Sequence, residues 1–288
     1  MPVKYAWISA HRNDFQLAAM CRVLSVSKSA FFASLTRPVC ARKLRSQALI
    51  EPIRQVFNRS RQTYGAPRVC AQLRNEKIDV CLNTVAKLMR ANGICAEKKK
   101  AFVPCTTDSL HDFPVALNTL DREFKAAAAN TKWVTDITYV ATGQGWLYVA
   151  GVLDLYSRKI VGWSMAEHMR SSLVEDALQM ALDRRNPGRG LLHHSDRGVQ
   201  YACGAYRNLL ARNDISVSMS RLGNCYDNAA MESFWSTLKT ELVYRKEYAT
   251  REEARRSIFE YIEVFYNRVR LHSSLGYKSP EAFEAAIN

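Results

Sequence analysis

The sequence lacks both close cysteine pairs and long apolar runs. None of its eight cysteines forms a C-x-x-C pair, and zinc fingers and zinc ribbons need such close ligand pairs. A disulfide framework is not expected in so large a chain without a signal peptide, so we interpret the cysteines as scattered reduced thiols. No apolar run approaches the length of a membrane-spanning helix, about 18 residues, and the N-terminus has too little apolar length for a secretory signal. We therefore expect a cytosolic protein.

Excess positive charge is confined to the first third of the chain. The net charge is +14, and residues 1–107 hold 19 Lys and Arg against 5 Asp and Glu. Residues 108–288 hold 22 of each sign and are therefore neutral. This asymmetry predicts a polyanion-binding module joined to a neutral module with another task. A solvated basic face is the alternative.

The basic third contains two helix-turn-helix outlines. In the first, apolar residues of helical spacing begin at Phe15, and Ser27 is predicted to cap a second helix that Pro38 ends. Short helix pairs are common and often only pack against each other. This outline alone therefore does not establish DNA binding.

The second outline begins at the turn formed by residues 64–67, where Pro67 suits the first position of a helix. Asn83 is predicted to cap the next helix, and Gly93 to end it. Four basic side chains are expected to project around this helix pair: Arg68, Arg74, Lys87 and Arg90. We favour contact between these side chains and DNA phosphates, and a small helical spacer is the alternative.

A linker is predicted over residues 98–131, which contain prolines at 104 and 114 and the alanine run 126–129. The linker begins with the basic triplet Lys98, Lys99 and Lys100. Such a triplet is usually solvated, but beside a DNA-binding module it is also able to follow the DNA backbone.

After the linker the pattern becomes alternating strands and helices. Strands are predicted over residues 133–139, 146–155, 159–165, 191–195 and 215–219, and helices over Ser171–Arg185, 201–213 and a segment that reaches about 243. Three antiparallel strands followed by helix, strand, helix, strand and helix predict a mixed five-stranded α/β sheet. Ribonuclease-H-like nucleases use this order.

Three acidic residues occupy notable positions in this predicted sheet. Asp136 lies within the first strand, where an unpaired carboxylate costs several kcal/mol, so it is either hydrogen-bonded or binds a cation. Asp196 follows the fourth strand, at the end where α/β sheets place ligands, although a turn or capping role is the alternative. Glu232 lies early in the last helix, after the predicted capping residues Asp227 and Asn228. A surface glutamate is the alternative there.

Together the three carboxylates favour metal-ion chemistry. Acids on the first strand, at the end of the fourth strand and early on the last helix are able to converge on one edge of this sheet. Hard cations prefer carboxylate oxygens, and a pair of ions about 4 Å apart can clamp the attacking and leaving oxygens of a phosphoryl displacement. Such a site needs to position water, or a DNA 3′-hydroxyl, and a phosphate.

The spacing of these acids resembles a known signature. Between Asp196 and Glu232 lie 35 residues, and Lys239 follows Glu232 by seven. This resembles the D,D(35)E signature of retroviral integrases and many insertion-sequence transposases. The surrounding sequence motifs resemble those of the second-reading-frame product (OrfB) of bacterial copy-out, paste-in insertion sequences, and the resemblance covers nearly the whole chain. These motifs are WVTDITY at 133–139, HSDRG at 194–198, SRLGNCYDNA at 220–229, ESFW at 232–235 and YNRVRLHSSLGYKSP at 266–280.

The resemblance implies a role for each matching residue. Asp136, Asp196 and Glu232 would be the catalytic residues and would hold two Mg²⁺ or Mn²⁺ ions, and Lys239 would contact DNA beside them. A further set would support the site or contact DNA: His194, Arg197, Arg221 and Asn228. For His194, a hydrogen-bonded structural imidazole is the alternative.

The resemblance also implies the partners. They are double-stranded DNA, as terminal inverted repeats and as target, and further copies of the chain on that DNA. The upstream-frame product (OrfA) is a further expected partner or fusion, because the chain shows no heptad zipper. We expect a bacterial cytoplasmic, nucleoid-associated protein.

The sequence thus predicts a transposase that cleaves and joins DNA strands. The predicted domains are residues 1–50 (helix-turn-helix-like), 51–97 (a second helical DNA-binding domain), 98–131 (linker), 132–245 (ribonuclease-H-like core) and 246–288 (helical extension). One alternative is a non-catalytic DNA-binding regulator derived from a transposase. Another is a nuclease of the same fold that hydrolyses DNA without strand transfer.

Overall fold

The computed structural model describes residues 2–36, 40–96, 113–222 and 224–286. Pro38 and the triplet Lys98, Lys99 and Lys100 lie outside these residues, so their predicted roles stay predictions. The chain divides into two compact units, Met1–Pro52 and Ile53–Asn288.

The first unit is helical. Its helices are α1 (Pro2–Ala10), α2 (Leu17–Val23), α3 (Lys28–Thr36) and α4 (Ala41–Ala48). Ser27 Oγ accepts a hydrogen bond from the Ala30 amide at 3.0 Å, which confirms the predicted cap of α3. Buried side chains of α1, α2 and α3 form a small core of Ile8, Met20, Cys21 and Phe31. The sequence pattern did not predict α1.

A second helical region follows, with α5 (Ile50–Arg59), α6 (Ala66–Asn75) and α7 (Leu82–Ala91). Pro67 lies in the first turn of α6, and Gly93 has a φ of +66° just beyond α7, as predicted. The predicted cap at Asn83 is wrong, because α7 begins at Leu82 with Cys81 in the capping position. The capping position therefore lies two residues earlier than predicted, and Cys81 Sγ lies 3.1 Å from Thr84 Oγ1.

Within the described residues, five strands form one sheet. They are β1 (Lys132–Thr142), β2 (Gly145–Asp154), β3 (Ile160–Ala166), β4 (Leu192–Ser195) and β5 (Ser216–Met219). Their order in the sheet is β3-β2-β1-β4-β5. Strands β1, β2 and β3 pair antiparallel, whereas β4 pairs parallel with both β1 and β5. The predicted mixed five-stranded sheet is therefore confirmed.

Helices cover this sheet and continue beyond it. They are α8 (Ser171–Arg185), α9 (Val199–Ala202), α10 (Gly204–Arg212), α11 (Ala229–Glu241), α12 (Arg251–Phe259), a π-helical turn (Glu260–Tyr266) and α13 (Pro280–Ala285). Helix α8 has the predicted bounds. The single helix predicted over residues 201–213 is wrong, because the backbone of Cys203 is extended, with ψ of 152°, and separates α9 from α10.

Two glycines let helices pack closely on opposite faces of the sheet. A Cβ at Gly162 would lie 2.7 Å from the Ala181 Cβ of α8. A Cβ at Gly151 would lie 2.7 Å from Met231 Cε and 3.0 Å from Trp235 Cη2, both of α11. A Cβ at Gly162 would also overlap the backbone carbonyl of Ala177, so glycine there fixes how near α8 comes to β3. At Gly151 the close atoms belong to side chains of α11, so a larger residue would require Met231 and Trp235 to shift.

The second helical region packs against the C-terminal extension. Arg61 Nη2 lies 2.7 Å from Glu260 Oε1. The Tyr64 hydroxyl accepts a hydrogen bond from the Leu271 amide at 2.7 Å and donates one to the Val269 carbonyl at 3.3 Å. These contacts join parts of the chain about two hundred residues apart, which agrees with their assignment to one compact unit.

The described cysteines Cys21, Cys40, Cys70, Cys81, Cys95 and Cys203 are free thiols, as predicted. In the part of the chain that the structure describes, no single helix is long and apolar enough to cross a membrane. Only α2 and α3 taken together pass such a test, and a bend of 105° separates them.

Candidate active site

The parallel pairing of β1 and β4 brings Asp136 and Asp196 side by side. Val134 pairs with His194, so each aspartate lies two residues further along its strand direction. Adjacent strands are about 4.8 Å apart. The Ile137 amide donates to Asp136 Oδ1 at 2.8 Å, and the Gly198 amide donates to Asp196 Oδ1 at 2.9 Å. Local backbone amides thus fix one oxygen of each carboxylate.

The pKa of Asp136 indicates that other negative charges lie nearby. Burial raises the pKa of Asp136 well above its ordinary value, and the charges of Asp196 and Glu232 raise it further. Lys239 acts in the opposite direction. Asp196, Glu232 and Lys239 therefore each lie within electrostatic range of Asp136.

Glu232 lies in the first turn of α11, where its side chain is exposed. Partial desolvation raises the pKa of its carboxyl. Among the residues that the structure describes, no three acidic, histidine or cysteine side chains are close enough to hold one metal ion together. The fold therefore brings the two aspartates together and leaves Glu232 in their neighbourhood on the helix.

Contrary to the prediction, neither Asp227 nor Asn228 caps α11 through a side-chain hydrogen bond. Asn228 stands in the N-cap position without a side-chain capping bond, and its Nδ2 instead donates to the Thr135 carbonyl at 3.0 Å. Thr135 immediately precedes Asp136, so Asn228 ties the start of α11 to the strand that carries the first acid. Asn228 thus occupies the predicted capping position, but the bond from its Nδ2 to the strand orients the side chain so that its Oδ1 accepts no hydrogen bond from the helix.

Asp227 is a fully buried carboxylate that holds two other segments. Its Oδ1 accepts from Arg221 Nη2 at 2.8 Å and from Arg122 Nε at 3.0 Å, and its Oδ2 accepts from Arg221 Nε at 2.9 Å. Asn118 Nδ2 also donates to Oδ2 at 2.8 Å. These bonds lower the pKa of Asp227, with Arg221 the largest cause. Asp227 thus fastens the segment before β1 to the loop that leads into α11.

His194 is a buried imidazole that bridges two strands. Its Nδ1 lies 2.8 Å from Ser218 Oγ, and its Nε2 lies 3.1 Å from Ser220 Oγ. Burial lowers the pKa of His194 to about 4, so the ring is neutral at pH 7. This geometry agrees with the structural imidazole that was the alternative to a role in DNA contact.

The predicted DNA-contacting residues near the acids differ in their surroundings. Lys239 Nζ lies 4.7 Å from the centre of the Tyr139 ring, and burial lowers the pKa of Lys239. Arg197 Nε donates to the Ser220 carbonyl at 2.6 Å. Arg221 is engaged with Asp227, yet its side chain is 47% exposed, so one face of the guanidinium remains open to solvent.

In the second helical region, the four predicted basic residues differ in their exposure. Arg68 is half-buried, and its Nη1 lies 3.6 Å from Glu241 Oε1. Arg74 of α6 is exposed, although its Nε donates to the Val80 carbonyl at 3.1 Å. Lys87 and Arg90 are exposed on α7. Arg74, Lys87 and Arg90 are therefore more accessible to a DNA backbone than Arg68.

Comparison with known protein families and relatives agrees with this arrangement. The HTH-like domain family matches residues 44–102, and two integrase core domain families match residues 126–225 and 213–280. The chain is 42% identical over 98% of its length, and 98% of the relative's, to transposase InsF for insertion sequence IS3A of Escherichia coli strain K12. The chain belongs to the insertion-sequence transposase family. It is a DDE transposase, a polynucleotidyl transferase, with a ribonuclease-H-like core and an N-terminal helical, HTH-like region.

Other relatives cover similar lengths of the transposase. An insertion element IS600 31 kDa protein of Shigella sonnei is 44% identical over 92% of this chain and 97% of its own. Solved structures with lower similarity include the simian T-cell lymphotropic virus intasome in complex with PP2A regulatory subunit B56 gamma (TM-score 0.47, 13% identity, 74% of this chain and 70% of that chain). The HTLV-2 integrase catalytic core domain in complex with magnesium has a TM-score of 0.42, with 13% identity over 55% of this chain and 98% of that chain.

Sequence reasoning missed one more residue of the transposase, Tyr201, which contacts the residue before Asp136. The hydroxyl of Tyr201, a fully buried residue of α9, lies 3.4 Å from Thr135 Oγ1. Burial raises the pKa of Tyr201 well above its ordinary value, and the charges of Asp136 and Asp196 raise it further. Tyr201 was predicted only as the start of a helix, because no local pattern indicates which strand a helical side chain will meet.

Proposed function

We propose that Asp136, Asp196 and Glu232 carry the cleavage and strand-transfer chemistry of this transposase. The observation that supports this most directly is the parallel register of β1 and β4, which sets Asp136 and Asp196 side by side. The pKa of Asp136, raised first by burial and then by the charges of Asp196 and Glu232, agrees with it. Like charges gathered at one sheet edge destabilise one another unless something positive binds between them. A site of this kind suits a reaction in which divalent cations and a phosphate group of the substrate bind next to each other.

The donor set fits hard divalent cations. It consists of three carboxylates without thiol or imidazole groups, and oxygen donors of this kind suit Mg²⁺ or Mn²⁺. Asp136 and Asp196 would hold the ions, and Glu232 would be the third ligand. When two such ions are bound, they would polarise the scissile phosphate and lower the pKa of a water nucleophile.

The chain's own side chains then position the reactants. In the displacement, an oxygen of water or of a DNA 3′-hydroxyl forms a new bond to phosphorus while the bond to the leaving oxygen breaks. Asp136 and Asp196 need little rearrangement, because the amides of Ile137 and Gly198 already fix their carboxylates. Lys239 supplies positive charge at the same edge and would contact the phosphate backbone beside the cut.

DNA is the macromolecular partner of the transposase, and we propose which residues bind it. Lys87 and Arg90 of α7 would contact phosphates of the terminal inverted repeat, and Arg68, Arg74, Arg197 and Arg221 would add contacts along the same path. Lys98, Lys99 and Lys100 are proposed to follow the backbone between the helical region and the core. Phosphate contacts of this kind orient a protein on DNA without reading its sequence.

We further propose that the active form contains several copies of the chain on paired DNA ends and target DNA. The upstream-frame product is proposed as a fusion or partner that supplies a zipper. Working on chromosomal DNA would place this assembly at the nucleoid of the bacterial cytoplasm.

Strand transfer of a labelled terminal-repeat oligonucleotide into plasmid DNA, with Mg²⁺ or Mn²⁺, tests the catalytic assignment. Asp136→Asn, Asp196→Asn and Glu232→Gln are each expected to reduce product by about 10²-fold or more, the size of effect seen when one transition-state contact is lost. Each variant should still bind the oligonucleotide, since none of the three acids is proposed to hold DNA by itself.

Asp214→Asn is the matched control, because this aspartate is exposed and only pairs with Arg189 at the surface. It is expected to keep full strand transfer. Equal activity of Asp196→Asn and the wild-type protein would refute the assignment, and so would an equal loss in Asp214→Asn.

A further inference from the structure

A cavity of about 560 Å³ opens beside Lys239 at the far end of the β1–β2 hairpin. Aromatic side chains from two parts of the chain form much of its wall: Tyr139, Trp146, Tyr244 and Tyr248. Lys239 and Lys246 add positive charge to the lining. Its size lies within the range of pockets that hold small ligands, about 300–1,000 Å³.

The walls of this cavity are fixed by backbone contacts. The Gly143 amide donates to the Tyr248 carbonyl at 2.9 Å, and a Cβ at Gly143 would lie only 2.7 Å from the Ala249 carbonyl oxygen. Arg251 Nε donates to the Trp146 carbonyl at 3.1 Å. The hairpin tip is therefore held against residues 248–251, and the cavity exists before any ligand arrives.

Trp146 is the most exposed of the four aromatic residues that line the cavity, whereas Tyr248 is buried. Trp146 is 48% exposed, and its ring meets that of Tyr139 at 83° with 5.0 Å between ring centres. Lys239 Nζ lies over the Tyr139 ring. Aromatic platforms flanked by lysines bind nucleic-acid strands, because bases stack on the rings while the lysines meet phosphates.

Lys239 connects this cavity with the acids. It lies on α11 seven residues after Glu232, and its Nζ lies over the ring of Tyr139, which follows Asp136 by three residues on β1. The cavity therefore begins three residues beyond Asp136 on β1 and two helical turns beyond Glu232 on α11.

We propose that this cavity receives an unpaired DNA base next to the strand that is cut or joined. The proposal rests on the proposed function of Asp136 and Asp196 and adds a nucleobase site to it. Stacking on Trp146 holds the base, and Lys239 and Lys246 hold the adjoining phosphates. The unpaired base comes either from the end of the element or from the target duplex.

The first test compares two single-stranded probes of equal charge, labelled dT12 and a strand of twelve abasic deoxyribose phosphates. Base stacking contributes about 1–3 kcal/mol per base, so the wild-type protein should bind dT12 about 5- to 150-fold more tightly than the abasic strand. Trp146→Ala should lose most of this preference while its affinity for the abasic strand stays unchanged. Trp146→Phe should restore much of the preference and shows that the variant site still folds.

Phe259→Ala is the matched control, because Phe259 of α12 is also 48% exposed but does not line the cavity. It should keep the wild-type preference. A wild-type protein that binds both probes equally would overturn the proposal, as would a preference that survives in Trp146→Ala. A preference lost equally in Phe259→Ala would also overturn it.

The second test separates the two sources of the base. 2-Aminopurine is placed at the end of the terminal-repeat strand in one arm and at the centre of the target duplex in the other. With the wild-type protein, the 2-aminopurine fluorescence should change on binding in one of the two arms, and this change should be absent with Trp146→Ala. If neither arm shows a change that depends on Trp146, the proposal is overturned. Asp196→Asn should keep the dT12 preference even though it loses strand transfer. Loss of strand transfer and loss of base binding are therefore distinguishable.

Discussion

Arg270 holds Glu241 through two parallel hydrogen bonds, Nε to Oε2 at 2.8 Å and Nη2 to Oε1 at 2.7 Å. Their side chains are only 5% and 9% exposed. Glu241 ends α11, the helix that carries Glu232, and it also accepts from the Tyr261 hydroxyl at 2.8 Å. Helix α11 is thereby fastened to the C-terminal extension by a bidentate ion pair.

We expect Arg270→Ala to lower the free energy of unfolding by about 3–5 kcal/mol, because it leaves the Glu241 carboxylate buried without its main partner. Urea unfolding followed by circular dichroism measures this change. Arg256→Ala removes an exposed pair with Glu252 and is the control, with an expected loss below about 0.5 kcal/mol. Similar losses in the two variants would contradict the assigned role of the buried pair.

Asp227→Asn should destabilise the protein by about 2–3 kcal/mol, since it replaces a charged acceptor of several hydrogen bonds with a neutral amide. Strand transfer should fall as well, because Asp227 holds the loop that leads into α11. Asp121→Asn is the matched control: Asp121 pairs with the same Arg221, but its side chain is 73% exposed. A stable and fully active Asp227→Asn protein would be inconsistent with this role.

His272 predicts a loss of stability in acid. Burial, together with the charges of Arg270, Arg68 and Arg158, lowers the pKa of His272 to about 2. Between an unfolded pKa of about 6.5 and this value, only the unfolded chain takes up the proton, so stability falls as the pH falls. The contribution of this one residue approaches about 1.4 kcal/mol per pH unit.

Urea unfolding at several pH values from 8 to 4.5 measures this dependence in the wild-type protein and in His272→Asn. The two curves should run parallel above pH 7, which serves as the internal control. Below about pH 6 the wild-type curve should fall more steeply. Parallel curves over the whole range would show that the folded protein accommodates a charged His272.

Lys87 and Arg90 predict a change in the salt dependence of DNA binding. Each phosphate contact contributes about one unit to the slope of log affinity against log salt concentration. Replacing both residues with alanine should therefore reduce the slope by about two, as measured by fluorescence anisotropy with a terminal-repeat duplex. Arg212→Ala, an exposed change at the end of α10, should leave the slope unchanged. An unaltered slope in the double variant would remove α7 from the DNA path.

The sequence predicted the sheet well because its strands are marked by local patterns. The apolar run that forms β2 and the amphipathic pattern of Ser171–Arg185 each report burial within a few neighbouring residues. The positions of Asp136 and Asp196 relative to strands followed from the same patterns. Their close approach then depended only on the parallel pairing of β1 and β4.

Interactions between distant segments were not predictable in this way. Arg270 and Glu241 lie 29 residues apart, and Asp227 and Arg122 lie 105 residues apart. Nothing in either local sequence indicates the partner, because the pairing depends on how α11, the linker and the C-terminal extension pack. The capping prediction for Asn228 failed for the same reason, since its amide meets a strand carbonyl from residue 135.

The hydroxyl of Tyr64 bonds two backbone groups of the C-terminal segment, so the start of α6 is anchored within the same compact unit that holds the acids. Under the proposed function, this anchoring holds the second helical region at a fixed distance from the acids. Packing within this one unit then sets the number of base pairs between the DNA site bound by α7 and the phosphate that is cut. Changing the length of the chain between residues 97 and 112 would leave that count unaltered.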